Sequence, residues 1–224
     1  WQMTDDHLLF TTYSRGFRSG GFNEYAPTVI REYEQEISDT VELGVKTTWL
    51  DGKVWMNMSL FHIEQQDAQF TRLNPTTFTL ENLNIDEVSI DGFELEMSAS
   101  ITDNLSVNFG LGLIDNKITK NQGTDILSGR DLAETEGGTM PYVSEFNLNG
   151  SIDYSKALFR DYVVKTRLSF NTIGPRSFDI FNDDTGESDT HTYLNANIAL
   201  ENETWSVSLF ASNLTDEASP ETVF

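Results

Sequence analysis

Histidines are the side chains in this sequence best suited to acid–base catalysis or metal ligation, and there are three of them, His7, His62 and His191. They fall on separate predicted strands, so their spacing gives no metal-binding cluster. His62, inside the segment Phe61-His62-Ile63, is interpreted as a strand residue with a satisfied ring. The sequence also lacks cysteine, a Gly-x-Ser-x-Gly elbow, a His-Glu-x-x-His pair and a phosphate loop. It therefore predicts no catalytic residue, no bound metal and no cofactor.

Carboxylates are the other groups that could carry chemistry. The run at residues 182–189 has enough hard oxygen atoms for Ca²⁺, but it departs from the spacing of a calcium-binding helix–loop–helix. We interpret it as a solvated acidic loop. Glu94 and Glu96 share one face of a predicted strand and resemble a catalytic pair, yet facing a wet lumen they need only water or cationic partners such as Lys165 and Arg167.

The elements that position these residues follow a period of two. Apolar residues alternate with small or charged residues over segments longer than the strands of most soluble proteins. About nine antiparallel strands are expected, the first three at residues 7–17, 39–50 and 53–72 and the last at residues 204–214. The longest apolar runs are too short for a helix that crosses a bilayer. The sequence opens on Trp1 and reads as part of a longer protein.

The connections between the predicted strands alternate between two kinds. Short turns fall at residues 51–52, 102–104, 155–160 and 201–203. Long connections rich in Gly, Asp, Asn and Glu fall at residues 18–38, 120–141 and 175–189, with a shorter one near residues 73–76. Short turns on one rim and long loops on the other are typical of a transmembrane β-barrel. A soluble antiparallel sandwich is the alternative, but it does not require this asymmetry or aromatic residues near the strand ends.

The charge of the chain limits its partners. The 224 residues include 14 Lys and Arg against 36 Asp and Glu, a formal charge of −22. Such a charge repels phosphate groups, so no nucleic-acid partner is expected. It is compatible with a membrane protein if the carboxylates lie in loops or line a wet interior.

Five sequence segments resemble the barrel of TonB-dependent receptors. They are YSRGFRSGGFN at 13–23, VELGVK at 41–46, LFHI at 60–63, DGFELE at 91–96 and FASNLTD at 210–216. This resemblance implies an outer-membrane protein of a Gram-negative bacterium, in contact with outer-membrane lipid, with a plug domain inside a barrel of about 22 strands. Residues 1–224 would be the C-terminal portion of that barrel, without the plug, the TonB box or the last strand.

The resemblance also implies a function. It is closer to siderophore receptors than to cobalamin receptors, and it predicts active uptake of a ferric siderophore in partnership with TonB. No enzymatic activity is expected. The alternatives are a barrel that does not import, such as a porin-like protein or an adhesin, and an importer of a glycan or cobalamin.

Ligand-binding candidates lie in two of the long connections. They are Arg18, Phe22, Asn23 and Tyr25 in the first and Arg176 and Phe178 in the later one. Cations and aromatic rings suit an anionic ferric chelate. An equally good interpretation is that Gly20-Gly21-Phe22 only shapes a turn. Because the loops are acidic as a whole, a strongly anionic ligand is less favoured, and a neutral chelate, a glycan or a cobalamin-like ligand stays open.

Overall fold

The structure, a computed structural model, describes residues 1–24, 31–74, 77–158, 161–183 and 186–219. Its strands are β1 (Gln2–Thr4), β2 (His7–Arg18), β3 (Gly21–Phe22), β4 (Glu32–Tyr33), β5 (Glu36–Trp49), β6 (Val54–Asn74), β7 (Thr79–Thr102), β8 (Leu105–Lys120), β9 (Phe146–Ala157), β10 (Val163–Ile173), β11 (Arg176–Ser177), β12 (Glu187–Ser188), β13 (His191–Glu201) and β14 (Ser206–Ala211). One short 3-10 helix, Leu132–Thr135, lies between β8 and β9. No helix of the described residues has the length and hydrophobicity to span a membrane.

Ten strands form one antiparallel sheet in the order β1-β2-β5-β6-β7-β8-β9-β10-β13-β14. The short pairs β3-β4 and β11-β12 lie in the loops between these strands. Apart from the three-residue β1, the described part of the sheet has nine strands, which confirms the predicted number and the all-β antiparallel class. The sheet is part of a barrel and does not close on itself.

The two faces of the sheet differ as the alternation predicted. Leu60 pairs with Phe93, Met58 with Leu95 and Met56 with Met97, which places these apolar side chains on one face. The intervening residues of β7, including Glu94 and Glu96, lie on the opposite, polar face. Many apolar side chains are exposed, Leu60 by 57% and Leu209 by 74%. An exposed apolar band backed by a polar face is the arrangement of a membrane barrel, with lipid outside and water in the lumen.

The rims also differ as predicted. β5 and β6 are joined through Leu50, Asp51 and Gly52, all with positive φ (55°, 54° and 85°), and this conformation allows a tight hairpin. Some boundaries were wrong: β5 begins at Glu36 and β9 ends at Ala157, inside predicted connections, and residues 73 and 74 belong to β6, which pairs with β7 as far as Asn74 and Thr79. The β6–β7 hairpin therefore extends beyond the neighbouring strands at the long-loop rim.

On the polar face, two strand glycines leave space that aromatic rings occupy. The ring of Phe61 lies over Gly92, its cross-strand partner, where a Cβ atom would overlap the ring. Phe10 covers Gly44 in the same way. Gly112, on the same face of β8, has open space where a Cβ would lie. The ring thus replaces the side chain that the strand glycine lacks.

Replacement of Gly92 should therefore destabilise the barrel. Gly92→Val is expected to displace Phe61 and lower the free energy of unfolding by about 1–3 kcal/mol, the usual cost of overpacking. Urea unfolding of the full-length protein in detergent, followed by gel mobility without heating, measures this change. Gly112→Val is the matched control on the same face. Equal stability of the two variants would contradict the packing assigned to Phe61.

Candidate ligand-binding site

The outer end of the β6–β7 hairpin divides the loops into two groups. On one side of the hairpin, Ala68 pairs with Ile85, Phe70 with Leu83 and Arg72 with Glu81. On the other side, Gln69 pairs with Asn84 and Thr71 with Asn82. Cross-strand partners share a face, so the hairpin presents an apolar, charge-paired side and an amide-rich side. Different loops pack on each.

The first long loop binds the amide side. Asn23, 5% exposed, donates to the carbonyl of Asn82 at 2.8 Å and accepts from its backbone N–H at 2.9 Å. The amide of Gln69 donates to the carbonyls of Ser19 (3.0 Å) and Glu34 (2.9 Å). A loop side chain thus binds the hairpin backbone, and a hairpin side chain binds the loop backbone. The loop is therefore positioned by amides that have no charge.

An apolar cluster supports the opposite side of the hairpin. Ala68, Ile85, Val88 and Ile118 are fully buried, and Ile180 from the loop before β12 packs against them. Val88 and Ile118 lie on the polar face of β7 and β8. The loop that carries Ile180 therefore crosses the lumen side of the sheet. The cluster fixes that loop at the mouth of the barrel.

A cleft of ≈ 660 Å³ opens above this cluster. It lies between the hairpin, the β8–β9 loop and the β10–β13 loop, and its main side chains are Phe70, Arg72, Asp125, Leu127, Arg130, Tyr142, Phe178, Asp179, Phe181 and Asp183. The volume is in the range of small-molecule binding sites. Four aromatic rings and charged groups of both signs therefore face one concave space.

A charge network centred on Arg72 forms one wall of the cleft. Its guanidinium lies 2.5 Å from Asp125 Oδ1 and 3.6 Å from Glu81 Oε2, and the side chains of Asp125 and Glu81 are 6% and 1% exposed. Burial alone would raise the pKa of Asp125, but hydrogen bonds from Ser128 and Arg72 outweigh it and hold the pKa below its ordinary value. The network ties the β8–β9 loop to the hairpin.

A second network joins the two loops themselves. Arg130 of the β8–β9 loop donates from Nη1 to both carboxylate oxygens of Asp183 (3.1 and 3.0 Å) and from Nε to Glu134 (3.0 Å). Its guanidinium lies 3.9 Å from the centre of the Phe181 ring. These hydrogen bonds raise the pKa of Arg130, with Asp183 the main cause. Arg130 is thus a charged link between the loops.

The predicted ligand-binding residues fall into two places. Phe178 lines the cleft, with its ring 5.6 Å from that of Tyr142, and the Arg176 guanidinium lies 5.2 Å from the Phe178 ring. Arg18 is the last residue of β2, contrary to its predicted place in a loop. Asn23 and the exposed Phe22 lie in the first loop, on the other side of the hairpin, and Tyr25 lies outside the described residues. Their role in binding stays a prediction. Sequence reasoning missed Arg72, Asp125 and Arg130, because Arg72 meets Asp125, and Arg130 meets Asp183, across 53 residues in each case.

His62 and the two basic residues named with Glu94 and Glu96 have partners of their own. His62 contacts Asp91 and Glu64, both at 2.9 Å, so its ring is satisfied as predicted. Lys165 pairs with Glu201 and Arg167 with Asp153, so these two cations, named as possible partners of Glu94 and Glu96, bind other carboxylates.

His191 lies between Glu217 (2.6 Å from Nδ1) and Ser188 (3.0 Å from Nε2). Ser188, His191 and Glu217 are thus arranged like the nucleophile, base and acid of a catalytic triad. Ser188 is only 4% exposed and donates to a backbone carbonyl, so no substrate reaches its hydroxyl.

Two residues of the acidic segment 182–189 contact the β8–β9 loop. The side-chain oxygen of Asn182 accepts from the backbone N–H of Thr139 at 2.6 Å, and Asp183 holds Arg130. Within the described part of the chain, no group of three or more His, Asp or Glu residues has the arrangement of a metal site. Residues 184 and 185 lie outside the described residues.

A long-stranded sheet with a lipid-facing band, a polar lumen face and a ligand-sized cleft at its long-loop rim defines a section of a receptor-type membrane β-barrel. The family model described as TonB dependent receptor-like, beta-barrel matches residues 1–214, and the chain belongs to this family.

Its relatives are receptors by name. The chain is 28% identical over 149 residues to the probable TonB-dependent siderophore receptor PiuA of Acinetobacter baumannii, a match covering 62% of this chain and 19% of that protein. It is 25% identical over 122 residues to the metal-pseudopaline receptor CntO of Pseudomonas aeruginosa, covering 54% of this chain and 16% of that protein. The matched part is thus less than a fifth of either relative.

Two solved structures share the fold. The ferric yersiniabactin uptake receptor FyuA from Yersinia pestis superposes with a TM-score of 0.77 and 21% identity over 96% of this chain and 31% of that chain. The siderophore receptor PiuA from Acinetobacter baumannii gives 0.76 and 22% over 98% of this chain and 31% of that chain. The chain therefore has the fold of about a third of these receptors.

Loss of Arg72 should loosen the β8–β9 loop. Arg72→Gln leaves Glu81 and Asp125 buried without their cation, an effect that typically costs about 3–5 kcal/mol. We expect faster amide hydrogen exchange at residues 121–130 of the full-length protein. Lys117→Gln is the control, because Lys117 pairs with Asp115 in the open and such pairs contribute about 1 kcal/mol or less. Unchanged exchange in Arg72→Gln would show that the network does not hold the loop.

Acid should release the same loop at an unusually low pH. Because the pKa of Asp125 in the folded protein lies below its ordinary 3.8, the carboxylate stabilises the loop at all pH values above 3.8, and this is lost only as the pH falls through the lower, folded value. Pepsin cleavage within residues 121–130 measures the release. In Asp125→Asn the cleavage should no longer depend on this titration. Cleavage of the unaltered protein that begins well above pH 3.8 would contradict the assignment.

Proposed function

We propose that this chain is the C-terminal part of the barrel of an outer-membrane receptor that takes up a ferric siderophore by TonB-coupled active transport. Residues 1–224 would form about nine of its strands, and a plug domain and a final strand would lie elsewhere in the protein. The observation that carries the proposal is the cleft at the long-loop rim, where flat rings and paired charges from three chain segments meet. The names of the relatives support the same reading.

The cleft suits a compact chelate because it is formed before the ligand arrives. The Arg72 and Arg130 networks and the apolar cluster around Ile85 fix its walls. Tyr142, exposed by 40%, offers a flat surface beside Phe178. Walls that are already ordered lose little conformational entropy when they bind a ligand. Binding here would hold the cargo above the lumen.

The polar face below the cleft would accommodate the plug and the path of the cargo. Asn108 and Ser151 bind the carboxylate of Asp153, and Arg167 pairs with it. Such a surface is hydrated and can exchange its partners without exposing apolar groups. Energy delivered through TonB would then move the plug and open the lumen. This chain contributes binding and a wet wall, and no covalent step is needed.

Growth under iron limitation tests the function. A deletion strain should fail to grow on one ferric chelate, and the intact gene should restore growth. Complementation with Phe178→Ala/Tyr142→Ala should require a substantially higher concentration of that chelate, because the ring surface of the cleft is lost. Phe17→Ala is the matched control: Phe17 is 73% exposed on β2, away from the cleft.

Each outcome of the growth experiment separates the candidates. Loss of growth on one chelate identifies the cargo. Unchanged growth of the deletion strain on every ferric chelate would refute iron uptake and favour a vitamin or glycan importer, or a barrel that does not import. Equal growth of the Phe178→Ala/Tyr142→Ala strain and the Phe17→Ala strain would place the binding site elsewhere.

A further inference from the structure

The arginines of the cleft are already neutralised. Arg72 faces Asp125 and Glu81, whose side chains are nearly inaccessible, and its own side chain is only 17% exposed. A ligand that took Asp125 away from Arg72 would leave a buried carboxylate without its cation. Arg72 is therefore committed to the protein and offers little charge to a ligand.

The second arginine is also committed, although in a more open setting. Arg130 binds Asp183 through two hydrogen bonds and also pairs with Glu134, and the Phe181 ring covers one face of its guanidinium. Asp179 lines the cleft as a further carboxylate. Even with Arg176 near Phe178 included, carboxylates outnumber arginines around the cleft. The formal charge around it is therefore negative.

The rings define what the cleft can recognise instead of charge. Tyr142 and Phe178 meet edge to face at 67°, and Phe70 and Phe181 line the same space. Aromatic faces bind other flat rings through area and quadrupole interactions, which require no net charge. A cleft that combines flat rings with a negative charge favours ligands of matching shape and disfavours anionic ligands.

From this geometry we propose that the cleft selects a ferric chelate that is neutral or positively charged and carries flat ring ligands, and that it rejects trianionic chelates. This inference rests on the proposed function and specifies its substrate class. It differs from the expectation that cations of the long loops would attract an anionic chelate. In the cleft, Arg72 and Arg130 are already bound to the protein's own carboxylates.

Two synthetic probes isolate the effect of charge. A tripodal scaffold that carries three hydroxypyridinone arms gives a neutral ferric complex, and the same scaffold with three catechol arms gives a trianionic one of similar size and with equally flat rings. Titration calorimetry on the full-length protein in detergent should show the neutral complex binding at least about tenfold more tightly. Equal affinity, or tighter binding of the trianionic complex, would overturn the proposal.

A double variant tests the cause of the preference. Asp183→Asn with Glu134→Gln leaves Arg130 without carboxylate partners, and should raise the affinity for the trianionic complex about tenfold with little change for the neutral one. Both carboxylates are about half exposed, at 55% and 50%, so the fold should tolerate their loss. Asp103→Asn with Glu203→Gln, in turns at the opposite rim, makes the same change of net charge and should alter neither affinity.

The outcomes distinguish this proposal from the proposed function. If the deletion strain shows chelate-dependent growth but the purified protein prefers the trianionic complex, iron uptake stands and the charge rule is wrong. If neither complex binds, the cleft is not a site for ferric chelates of this size and the charge rule is also wrong. If the control variant shifts the affinities as much as the cleft variant does, net charge rather than Arg130 determines them.

Discussion

Backbone hydrogen bonding in a lipid environment is the constraint on which the rest of this structure depends. The bilayer core provides no water for unpaired N–H and C=O groups, so a chain of strands can cross it only within a continuous, paired sheet. Between β1 and β14 each strand of the sheet is paired with its neighbours, without a crossover in the sheet order. Once pairing is fixed, the period of two assigns every side chain to lipid or to lumen. The apolar band and the polar face are consequences of register.

The same register continues into the water above the membrane and builds the candidate site. The β6–β7 ladder keeps its pairing past the neighbouring strands, and it places Arg72 opposite Glu81 and Phe70 opposite Leu83. Outside the bilayer, charged groups can be buried if they are paired. Loops can also pack on both sides of the hairpin there. The hairpin is therefore the support against which the other loops are ordered. The cleft depends on it more than on any single loop.

The sequence predicted the repeating part of this structure and missed the part that does not repeat. Alternation and turn chemistry, as at Asp51-Gly52, are local signals, and they sufficed for the number of strands and for the two kinds of rim. The cleft depends on contacts such as Arg130 with Asp183, and no local pattern reports a pairing over such distances. The pairing of Arg167 with Asp153 was missed for a related reason, since strand register decides which polar neighbours meet. Of the predicted binding residues, Phe178 lines the cleft. It could be predicted because an aromatic residue in a long loop usually lies either in the core of the loop or on a binding surface.

Cysteine labelling in intact cells tests most directly whether the cleft faces the outside and holds the cargo. The chain has no cysteine of its own, so Leu127→Cys, in the wall of the cleft, introduces one reactive position into it. A membrane-impermeant maleimide should label it from outside, and the chelate that supports growth should slow the labelling. Asp103→Cys, in a turn of the opposite rim, should be labelled only after the cells are lysed. Labelling of Leu127→Cys only after lysis, or at a rate the chelate leaves unchanged, would contradict the account.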